Sequence, residues 1–405
     1  MSNKITLQHL TKPLQGTFEL PLSKSMVNRA LLLAAMYPEI SLSGMSTSND
    51  SVYLQQVLDG YLGDTAMVGA GGTTLRFATA YWACQEGAYK ELQGTERLNK
   101  RPIAPLVNAL NLLGASVSYK ATEGEAPLCI RGRRLKGGSL HLGHVKSSQF
   151  ITALMLISPK TEEGLYLTWD SAPSQPYLVM TAALLREAGF EVLLTSEEFK
   201  ITAGQSPKNV ELFMERDWAA VAFWCELVAL SNESNIELSG FKPESLQGDS
   251  RVLDYFEPLG VKSTFENGSL FLTKKAVLSL GKFTANLISE PDLAQALITT
   301  LLVTKVPFEI HGLQTLKNKE TDRINALEHL AQTLGVKVKA TRDSLSCTDY
   351  PDEFASGPKT YDSLEDHRVA MSLAPLSLKF PITISNPSVV AKSYPEFWEH
   401  FAQLQ

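Results

Sequence analysis

The sequence predicts an α/β protein built from several similar subdomains, on the basis of its length, its composition and a repeated structural junction. Its 405 residues are enough for two or more domains with ample hydrophobic cores. Apolar residues make up 44% of the chain and charged residues 20%, which is an ordinary profile for a globular protein. The repeated junction indicates how such a chain is organised.

This junction is a helical stretch that ends at a glycine and is followed by a short alternating segment. Four copies lie about 70 to 75 residues apart, at Gly114, Gly189, Gly260 and Gly335, and a fifth lies near Gly60. A glycine after a helix adopts the left-handed conformation readily, and alternating apolar and polar residues predict a strand. The recurrence favours α/β subdomains related by pseudo-symmetry, although such junctions also occur in α/β proteins without repeats.

The formal net charge of −6 argues against nucleic acid as the main partner, because a nucleic-acid-binding protein is expected to have a basic surface. An acidic protein can still focus positive potential in one cleft. Local clusters of basic residues therefore matter more than the total charge.

The sequence has no feature typical of a membrane or secreted protein. Its first ten residues contain no apolar run of the signal-peptide kind. The longest apolar stretches, such as 218–230, are too short to span a bilayer, and this one contains Glu226. The four cysteines form no CxxC pair and the seven histidines show no metal-ligand spacing. We therefore expect buried free thiols, no protein-held metal and a cytoplasmic location.

The densest polar cluster lies at the start of an apolar helix, in the segment PLSKSMVNR. Ser23 and Ser25 can cap this helix, and its free N–H groups and positive dipole end favour an anion. Lys24 adds a positive charge, and Arg29 lies one helical turn after Ser25. The segment predicts an anion site without the glycines of a Walker A loop. An ordinary capped helix with a solvated lysine and arginine is the alternative.

Other segments also place glycines, donors or charges at predicted helix starts. They are GAGGTTLRF with Gly72, KRP with Arg101, KSSQF with Ser147, Ser148 and Gln149, SQPY with Ser174 and Tyr177, SEPD with Asp292, KETDR with Lys319, Glu320 and Arg323, EDHR with Arg368, and VVAKSYP with Lys392. Glycines allow a backbone to approach an anion closely. Taken singly, each segment is explained as well by a tight turn, a helix cap or a salt-bridged helix start.

Together, and in this order, the segments resemble the signatures of the 3-phosphoshikimate 1-carboxyvinyltransferase (EPSP synthase) family. SKSxxNR, KETDR and DHR are the most specific of them, and the match runs from about residue 16 to residue 400. The resemblance implies an α/β enolpyruvyl transferase fold of two domains, each with three βαβαββ-type repeats, around a closing cleft. It places residues 1–21 and 218–405 in a discontinuous first domain with the catalytic aspartate, and residues 22–217 in the second domain.

The resemblance also implies a reaction. The enolpyruvyl group of phosphoenolpyruvate moves to the 5-hydroxyl of shikimate 3-phosphate and phosphate is released, in the shikimate route to chorismate and the aromatic amino acids. No metal or organic cofactor is required. We expect these two small-molecule substrates, no nucleic-acid or membrane partner, and a monomer. Gly72 leaves room beside phosphoenolpyruvate, so the family's inhibitor glyphosate is expected to fit.

Roles follow from the resemblance residue by residue. Asp292 is the expected base, with Lys319 beside the same hydroxyl, and Glu320 and Lys24 are both candidates to protonate the methylene carbon. Shikimate 3-phosphate is expected to contact Lys24, Ser25, Arg29, Ser147, Ser148, Gln149, Ser174, Tyr177, Asp292 and Lys319. Phosphoenolpyruvate is expected to contact Lys24, Gly72, Arg101, Gln149, Arg323, Arg368 and Lys392. Arginine suits this work because its planar fork binds carboxylate or phosphate through two bonds.

Five positions depart from the family pattern. They are Leu22 and Ala70, in place of a glycine and an asparagine, Gln175 in place of a lysine, and Thr315 and Glu365, each in place of an asparagine. The change at Ala70 removes a polar contact near phosphoenolpyruvate and makes the potency of glyphosate unpredictable. None of the five removes a cationic anchor or Asp292, so they affect affinity more than reaction type.

Two other functions compete with this interpretation. The enolpyruvyl transferase that acts on UDP-N-acetylglucosamine shares the fold, but it has a reactive cysteine where this chain has GTERLNKRP. A non-catalytic anion-binding homologue is expected to have lost Asp292, Lys24 or Arg323, and all three are present.

Overall fold

The computed structural model describes residues 3–60, 63–277, 280–354 and 359–404. The chain divides into two compact units. The first unit contains residues 1–21 and 215–405, and the second contains residues 22–214. The second unit is therefore an insertion in the first, placed directly after its N-terminal strands.

Three sheets are found in the described part of the first unit. Their strand orders are Val261–Glu266, Ser269–Lys274, Ser234–Ser239, Leu14–Phe18 in one, Phe283–Asn286, Phe308–His311, Leu345–Cys347, Lys339–Ala340 in another, and Lys4–Leu7, Ile382–Ser385, Lys359–Asp362 in the third. The α-helices are Trp218–Leu230, Val252–Phe256, Ala294–Val303, Arg323–Thr333, His367–Leu373 and Phe397–Ala402. Short 3₁₀ turns occupy Gly248–Arg251, Glu257–Leu259, Pro291–Leu293, Leu316–Asn318, Ala374–Leu378 and Pro387–Lys392.

The second unit, leaving aside residues 61–62, also has three sheets. Their strand orders are Thr65–Met67, Tyr89–Gln93, Leu128–Arg131, Ser116–Tyr119 in one, Val192–Leu194, Glu198–Ile201, Leu165–Thr168, Gly138–His141 in another, and Val210–Leu212, Ile40–Leu42 in the third. The α-helices are Lys24–Met36, Asn49–Leu58, Gly72–Ala83, Glu96–Asn99, Ala104–Leu112, Ser148–Ile157 and Gln175–Glu187, and a 3₁₀ turn covers Ser158–Lys160.

The sheets repeat one pattern. Each of the six described sheets contains one parallel pair of strands, and every other pairing in it is antiparallel. The four-stranded sheets follow the chain order βαβαββ, as in 65–131 and 283–347. This arrangement confirms the predicted α/β fold class.

Among the described residues, the third sheet has three strands in the first unit and two in the second, fewer than the four of the other sheets. In the first unit, Lys4–Leu7 pairs antiparallel with Ile382–Ser385. In the second unit, Ile40–Leu42 pairs parallel with Val210–Leu212. These two sheets therefore join the beginning of each unit to its end.

The glycines of the repeated junction lie where the sequence predicted. Gly114, Gly189, Gly260 and Gly335 all have positive φ, and each follows a helix and precedes a strand. At Gly189, where φ is +100°, an added Cβ would also lie 3.0 Å from the backbone nitrogen of Lys208. A residue with a side chain would be strained there, so the left-handed helix end is confirmed.

Apolar helices form the core of the first unit. Every residue of Trp218–Leu230 is buried, and this helix packs against the equally buried helix Ala294–Val303. Of the four free cysteines, Cys225 and Cys347 are buried, whereas Cys84 and Cys129 are partly exposed, so the expectation of buried thiols is correct for two of the four. Across the described residues, no helix is both long enough and apolar enough to cross a membrane.

One polar group interrupts this core. Glu226 is fully buried, and neither of its carboxyl oxygens has a hydrogen-bond partner among the described residues. Burial raises the pKa of Glu226 well above its usual value. The carboxyl is therefore protonated in the folded protein under conditions in which the same group in the unfolded chain is ionised.

We expect Glu226→Leu to raise the free energy of unfolding by about 1–3 kcal/mol, because the substitution removes an unsatisfied buried polar group. The gain grows as the pH rises above the pKa of an unfolded glutamate, because only the unfolded wild-type chain then ionises. Urea unfolding at pH 5 and pH 8 measures both effects. Glu244→Leu, at an exposed position of the same unit, is the control. A less stable Glu226→Leu protein would show that the carboxyl is satisfied in the fold.

Candidate functional site

The candidate residues of the second unit lie at the N-terminal ends of its helices. Lys24 and Ser25 begin the helix Lys24–Met36, Gly72 begins Gly72–Ala83, Ser148 and Gln149 begin Ser148–Ile157 after Ser147, and Ser174 directly precedes Gln175–Glu187 with Tyr177. Helix N-termini present unpaired N–H groups and a positive dipole end. The unit thus gathers donors that suit an anion.

Arg29 is the most deeply buried cation of this group, at 3% exposure. Its Nε donates to Oγ1 of Thr181 at 2.8 Å, and its Nη1 donates to the carbonyl oxygen of Ser25 at 2.6 Å. The rings of Phe77 and Tyr177 lie 5.6 and 5.5 Å from the guanidinium carbon. Burial lowers the pKa of Arg29 to about 10, against a smaller opposing effect of Tyr177, so the side chain stays charged at neutral pH. No carboxylate pairs with it among the described residues.

Lys24 has a buried counter-ion, Asp50. Its Nζ lies 3.0 Å from Oδ2 of Asp50, which is 3% exposed and lies in the first turn of the helix Asn49–Leu58. The carbonyl oxygen of Asp50 accepts a hydrogen bond from Oγ1 of Thr74 at 2.9 Å. Residues 69–72 form a glycine-rich turn at the start of the helix that carries Thr74. The contact between Thr74 and Asp50 therefore links Lys24 to the glycine-rich turn.

The glycine-rich turn packs directly against two arginines. A Cβ at Gly72 would lie 2.8 Å from Nη1 of Arg76 and 2.9 Å from both terminal nitrogens of Arg101. Arg76 holds its own place by donating to the carbonyl oxygens of Gly72 at 2.8 Å and Pro102 at 3.0 Å. The absence of a side chain at Gly72 is therefore what admits the Arg101 guanidinium to this turn.

One further contact and one unusual backbone conformation complete the second-unit group. Nε2 of Gln149 donates to Oγ1 of Thr73 at 3.1 Å, which joins the helix Ser148–Ile157 to the glycine-rich turn. Ser174 is buried and adopts a left-handed backbone with φ of 57°. A residue other than glycine in this conformation is strained, and such strain concentrates at functional positions.

The candidate residues of the first unit form one network of charges around Asp292. One carboxylate oxygen of Asp292 lies 3.2 Å from Nζ of Lys319 and 3.2 Å from Nη1 of Arg323. Its other oxygen lies 2.9 Å from Nη2 of Arg368, whose Nη1 also donates to the Asp292 carbonyl oxygen at 3.2 Å. Asp292 therefore contacts three cations, and the helix Ala294–Val303 that follows has no side-chain cap.

Arg323 is the buried centre of this network, at 2% exposure. Its Nε and Nη2 form a two-bond pair with the carboxylate of Asp366, at 2.7 and 3.1 Å. Its Nη2 also lies 3.1 Å from Glu320. Burial opposes the charge of Arg323, but Asp366, Glu320 and Asp292 outweigh this effect and raise its pKa. The guanidinium is thus charged and fixed in orientation.

Glu320 extends the network to the last candidate cation. Its second carboxylate oxygen lies 3.1 Å from Nζ of Lys392. The four candidate cations, Lys319, Arg323, Arg368 and Lys392, are thus in contact with the three carboxylates of Asp292, Glu320 and Asp366. The formal charges of these seven groups sum to +1. This arrangement suits the binding of an anion.

Sequence reasoning missed Asp50 and Asp366, the buried partners of Lys24 and Arg323. Asp366 lies two residues before Arg368, and its Oδ1 also caps the helix that carries Arg368, at 2.9 Å from that backbone nitrogen. Its position in EDHR was a usable signal, whereas the segment around Asp50 reads as an ordinary helix start. Of the two serines predicted as caps, Ser23 caps the helix, and Ser25 lies in its first turn.

Comparisons with known proteins agree on one family. A family model described as EPSP synthase (3-phosphoshikimate 1-carboxyvinyltransferase) matches residues 47–401. A 3-phosphoshikimate 1-carboxyvinyltransferase of Bacteroides fragilis strain YCH46 is 37% identical over 389 residues, which are 95% of this chain and 94% of the relative. The enzyme of the same name from Shewanella woodyi is 30% identical and covers 99% of both chains.

Solved structures share the fold. EPSP synthase from Acinetobacter baumannii superposes with a TM-score of 0.76 at 20% identity, covering 99% of this chain and 98% of that one. The enolpyruvyl transferase NikO from Streptomyces tendae gives a TM-score of 0.72 at 15% identity, covering 99% and 97%.

We expect Asp366→Asn to lower the free energy of unfolding by about 3–5 kcal/mol, because it leaves the buried Arg323 without its two-bond partner. Chemical denaturation measures the loss. Glu257→Gln is the matched control, because Glu257 pairs with Lys275 at 3.1 Å on the exposed surface of the same unit. The control is expected to change stability by less than about 1 kcal/mol. Equal effects of the two substitutions would mean that burial does not strengthen the dependence of Arg323 on Asp366.

Proposed function

The chain belongs to the EPSP synthase family, and from this premise we propose how its own residues carry out the reaction of that family. It is a transferase. It moves the enolpyruvyl group of phosphoenolpyruvate to the 5-hydroxyl of shikimate 3-phosphate and releases phosphate, a step of the shikimate pathway.

The buried charge of Arg29 carries the substrate assignment in the second unit. An ion taken out of water costs several kcal/mol unless a partner compensates it. Thr181 and Ser25 offer Arg29 neutral oxygen atoms, and the described residues supply no carboxylate. We assign shikimate 3-phosphate, which carries a phosphate and a carboxylate, as the anion that pairs with Arg29. Lys24, Ser25, Ser147, Ser148, Gln149, Ser174 and Tyr177 complete this assignment.

Phosphoenolpyruvate, which also carries a carboxylate and a phosphate, is assigned to the cations Arg323, Arg368 and Lys392 of the first unit. Arg101 beside Gly72, together with Lys24 and Gln149, is assigned to the same substrate. Asp366 and Glu320 support this role because they fix Arg323 without cancelling all the positive charge of the network. A fixed guanidinium loses little further freedom when it binds an anion.

Asp292 is proposed to take the proton of the 5-hydroxyl, with Lys319 directing the same oxygen. The oxygen then attacks C2 of phosphoenolpyruvate while an acid, Lys24 or Glu320, protonates the methylene carbon. Elimination of phosphate with loss of a proton from that carbon restores the double bond. Arg323 and Arg368 contact the Asp292 carboxylate at 3.2 and 2.9 Å. An anion that binds these arginines competes for them and makes the carboxylate available as a base.

We also propose a location, an oligomeric state and a class of partners for the enzyme. We assign it to the cytoplasm as a monomer, with small molecules as its partners. The net charge of −6 supports the absence of a nucleic-acid partner.

Phosphate release tests the function directly. The purified protein is mixed with phosphoenolpyruvate and either shikimate 3-phosphate or UDP-N-acetylglucosamine. Release with shikimate 3-phosphate alone is expected. Release with the nucleotide sugar alone would identify the other enolpyruvyl transferase, and release with neither would favour a non-catalytic binding protein.

We expect Asp292→Asn to reduce turnover by about 100-fold or more, because the amide cannot accept the hydroxyl proton. Phosphoenolpyruvate binding is expected to be kept or strengthened, since one carboxylate no longer competes for Arg323 and Arg368. Steady-state kinetics and calorimetric binding separate the two effects. Asp254→Asn, at an exposed aspartate of the same unit, is the control. Undiminished turnover would remove Asp292 as the base.

We expect Gly72→Ala to raise the KM for phosphoenolpyruvate about tenfold or more, because the new methyl group displaces the Arg101 guanidinium. Thermal stability should change little, since the three atoms nearest to the added one are terminal nitrogens of arginine side chains. Gly281→Ala is the control, because an added Cβ there has no neighbour within 4 Å. An unchanged KM would show that the position of Arg101 does not depend on Gly72.

A further inference from the structure

We infer that Thr181 is a positioning residue that determines which edge of the Arg29 guanidinium meets shikimate 3-phosphate. The inference rests on the function proposed above and concerns a residue that carries no charge. Thr181 is fully buried in the helix Gln175–Glu187, one turn after Tyr177.

The hydroxyl of Thr181 is fixed in one orientation. Its Oγ1 donates to the carbonyl oxygen of Tyr177 at 2.6 Å. A threonine hydroxyl has one hydrogen and two acceptor lone pairs. Because the hydrogen is committed to Tyr177, Oγ1 faces Arg29 as an acceptor, and Nε of Arg29 donates to it at 2.8 Å.

The other contacts of Arg29 leave one edge of the guanidinium for a ligand. Nη1 donates to the carbonyl oxygen of Ser25 at 2.6 Å, and the ring centroids of Phe77 and Tyr177 lie 5.6 and 5.5 Å from the guanidinium carbon. An arginine has five N–H donors, and these bonds use one on Nε and one on Nη1. The remaining donors belong to the two terminal nitrogens, which form the edge that binds an oxyanion through two parallel bonds.

Nε of Arg29 requires a hydrogen-bond acceptor that carries no charge. In the first unit, Arg323 is oriented by the Asp366 carboxylate, whose negative charge offsets part of the positive charge available to a ligand. Thr181 orients Arg29 through a hydroxyl and leaves its full charge for the substrate. Without that hydroxyl, Nε has no partner on this side, and the guanidinium is free to turn and offer a different edge to the ligand.

The test replaces the hydroxyl with a methyl group of similar size. Thr181→Val is expected to raise the Kd and the KM for shikimate 3-phosphate by about 10- to 100-fold, the effect of removing a hydrogen bond to a charged group. The KM for phosphoenolpyruvate should stay within about twofold. Thr181→Ser restores the hydroxyl and should return shikimate 3-phosphate binding to within about threefold of the unsubstituted protein.

Thr79→Val is the matched control. Thr79 is equally buried in the same unit, and its Oγ1 donates to the carbonyl oxygen of Leu75 at 2.7 Å, again one turn earlier, but among the described residues it accepts no hydrogen bond from an arginine. This substitution should leave both KM values unchanged. Titration calorimetry with shikimate 3-phosphate alone, together with steady-state kinetics for both substrates, gives all the values needed.

Either of two results would overturn the inference: an unchanged Kd for shikimate 3-phosphate in Thr181→Val, or equal weakening of both substrates. If Thr181→Val does not fold, Thr181→Ala removes the hydroxyl without a second methyl group and is judged by the same criteria. The unsubstituted protein is measured first. If the unsubstituted protein does not bind shikimate 3-phosphate, the proposed function itself is overturned. If it binds and Thr181→Val binds equally well, only the inference about Thr181 is overturned.

Discussion

Positive charge that is buried but only partly neutralised is the constraint on which the rest of this structure depends. Arg323 is buried and paired with carboxylates, yet its network of seven charged groups retains one positive charge. Arg29 is buried with no carboxylate partner among the described residues. Burial of such charges raises the free energy of the folded state. Each buried cation therefore requires polar contacts whose positions are fixed by the fold. We propose that the substrate anions compensate the remaining positive charge.

The scaffold provides these contacts by presenting helix starts. In the second unit, helices begin at Lys24, Gly72 and Ser148, and their first turns carry the side chains assigned to anions. Apolar helices hold these turns in place, since Ser148–Ile157 is almost entirely buried beyond its first residues. The same logic applies in the first unit, where Asp366 both caps a helix and fixes Arg323. We therefore expect Asp366 to contribute to both stability and function.

Sequence patterns predicted the parts of this arrangement that are local. The left-handed glycines at Gly114 and Gly189 and the α/β repeat follow from short-range periodicity and turn chemistry. The choice of partners did not follow, because Arg29 meets Thr181 across 152 residues and Arg323 meets Asp366 across 43. A charged residue at a helix start looks the same in sequence whether it is solvated or buried. Only the fold distinguishes Lys100, which pairs with Glu96 in solvent, from Lys24, which pairs with the buried Asp50.

The short N-terminal segment has a consequence for how the chain is made. Its two strands belong to two different sheets, where Leu14–Phe18 pairs with Ser234–Ser239 and Lys4–Leu7 pairs with Ile382–Ser385. During synthesis, these strands are made before the strands with which they pair. The second unit, 22–214, is contiguous and possesses all its described strands before either partner exists. Domains generally fold as units as they emerge, so the inserted unit folds first. Leu14–Phe18 can pair once residues 234–239 are made, whereas Lys4–Leu7 can pair only after residues 382–385.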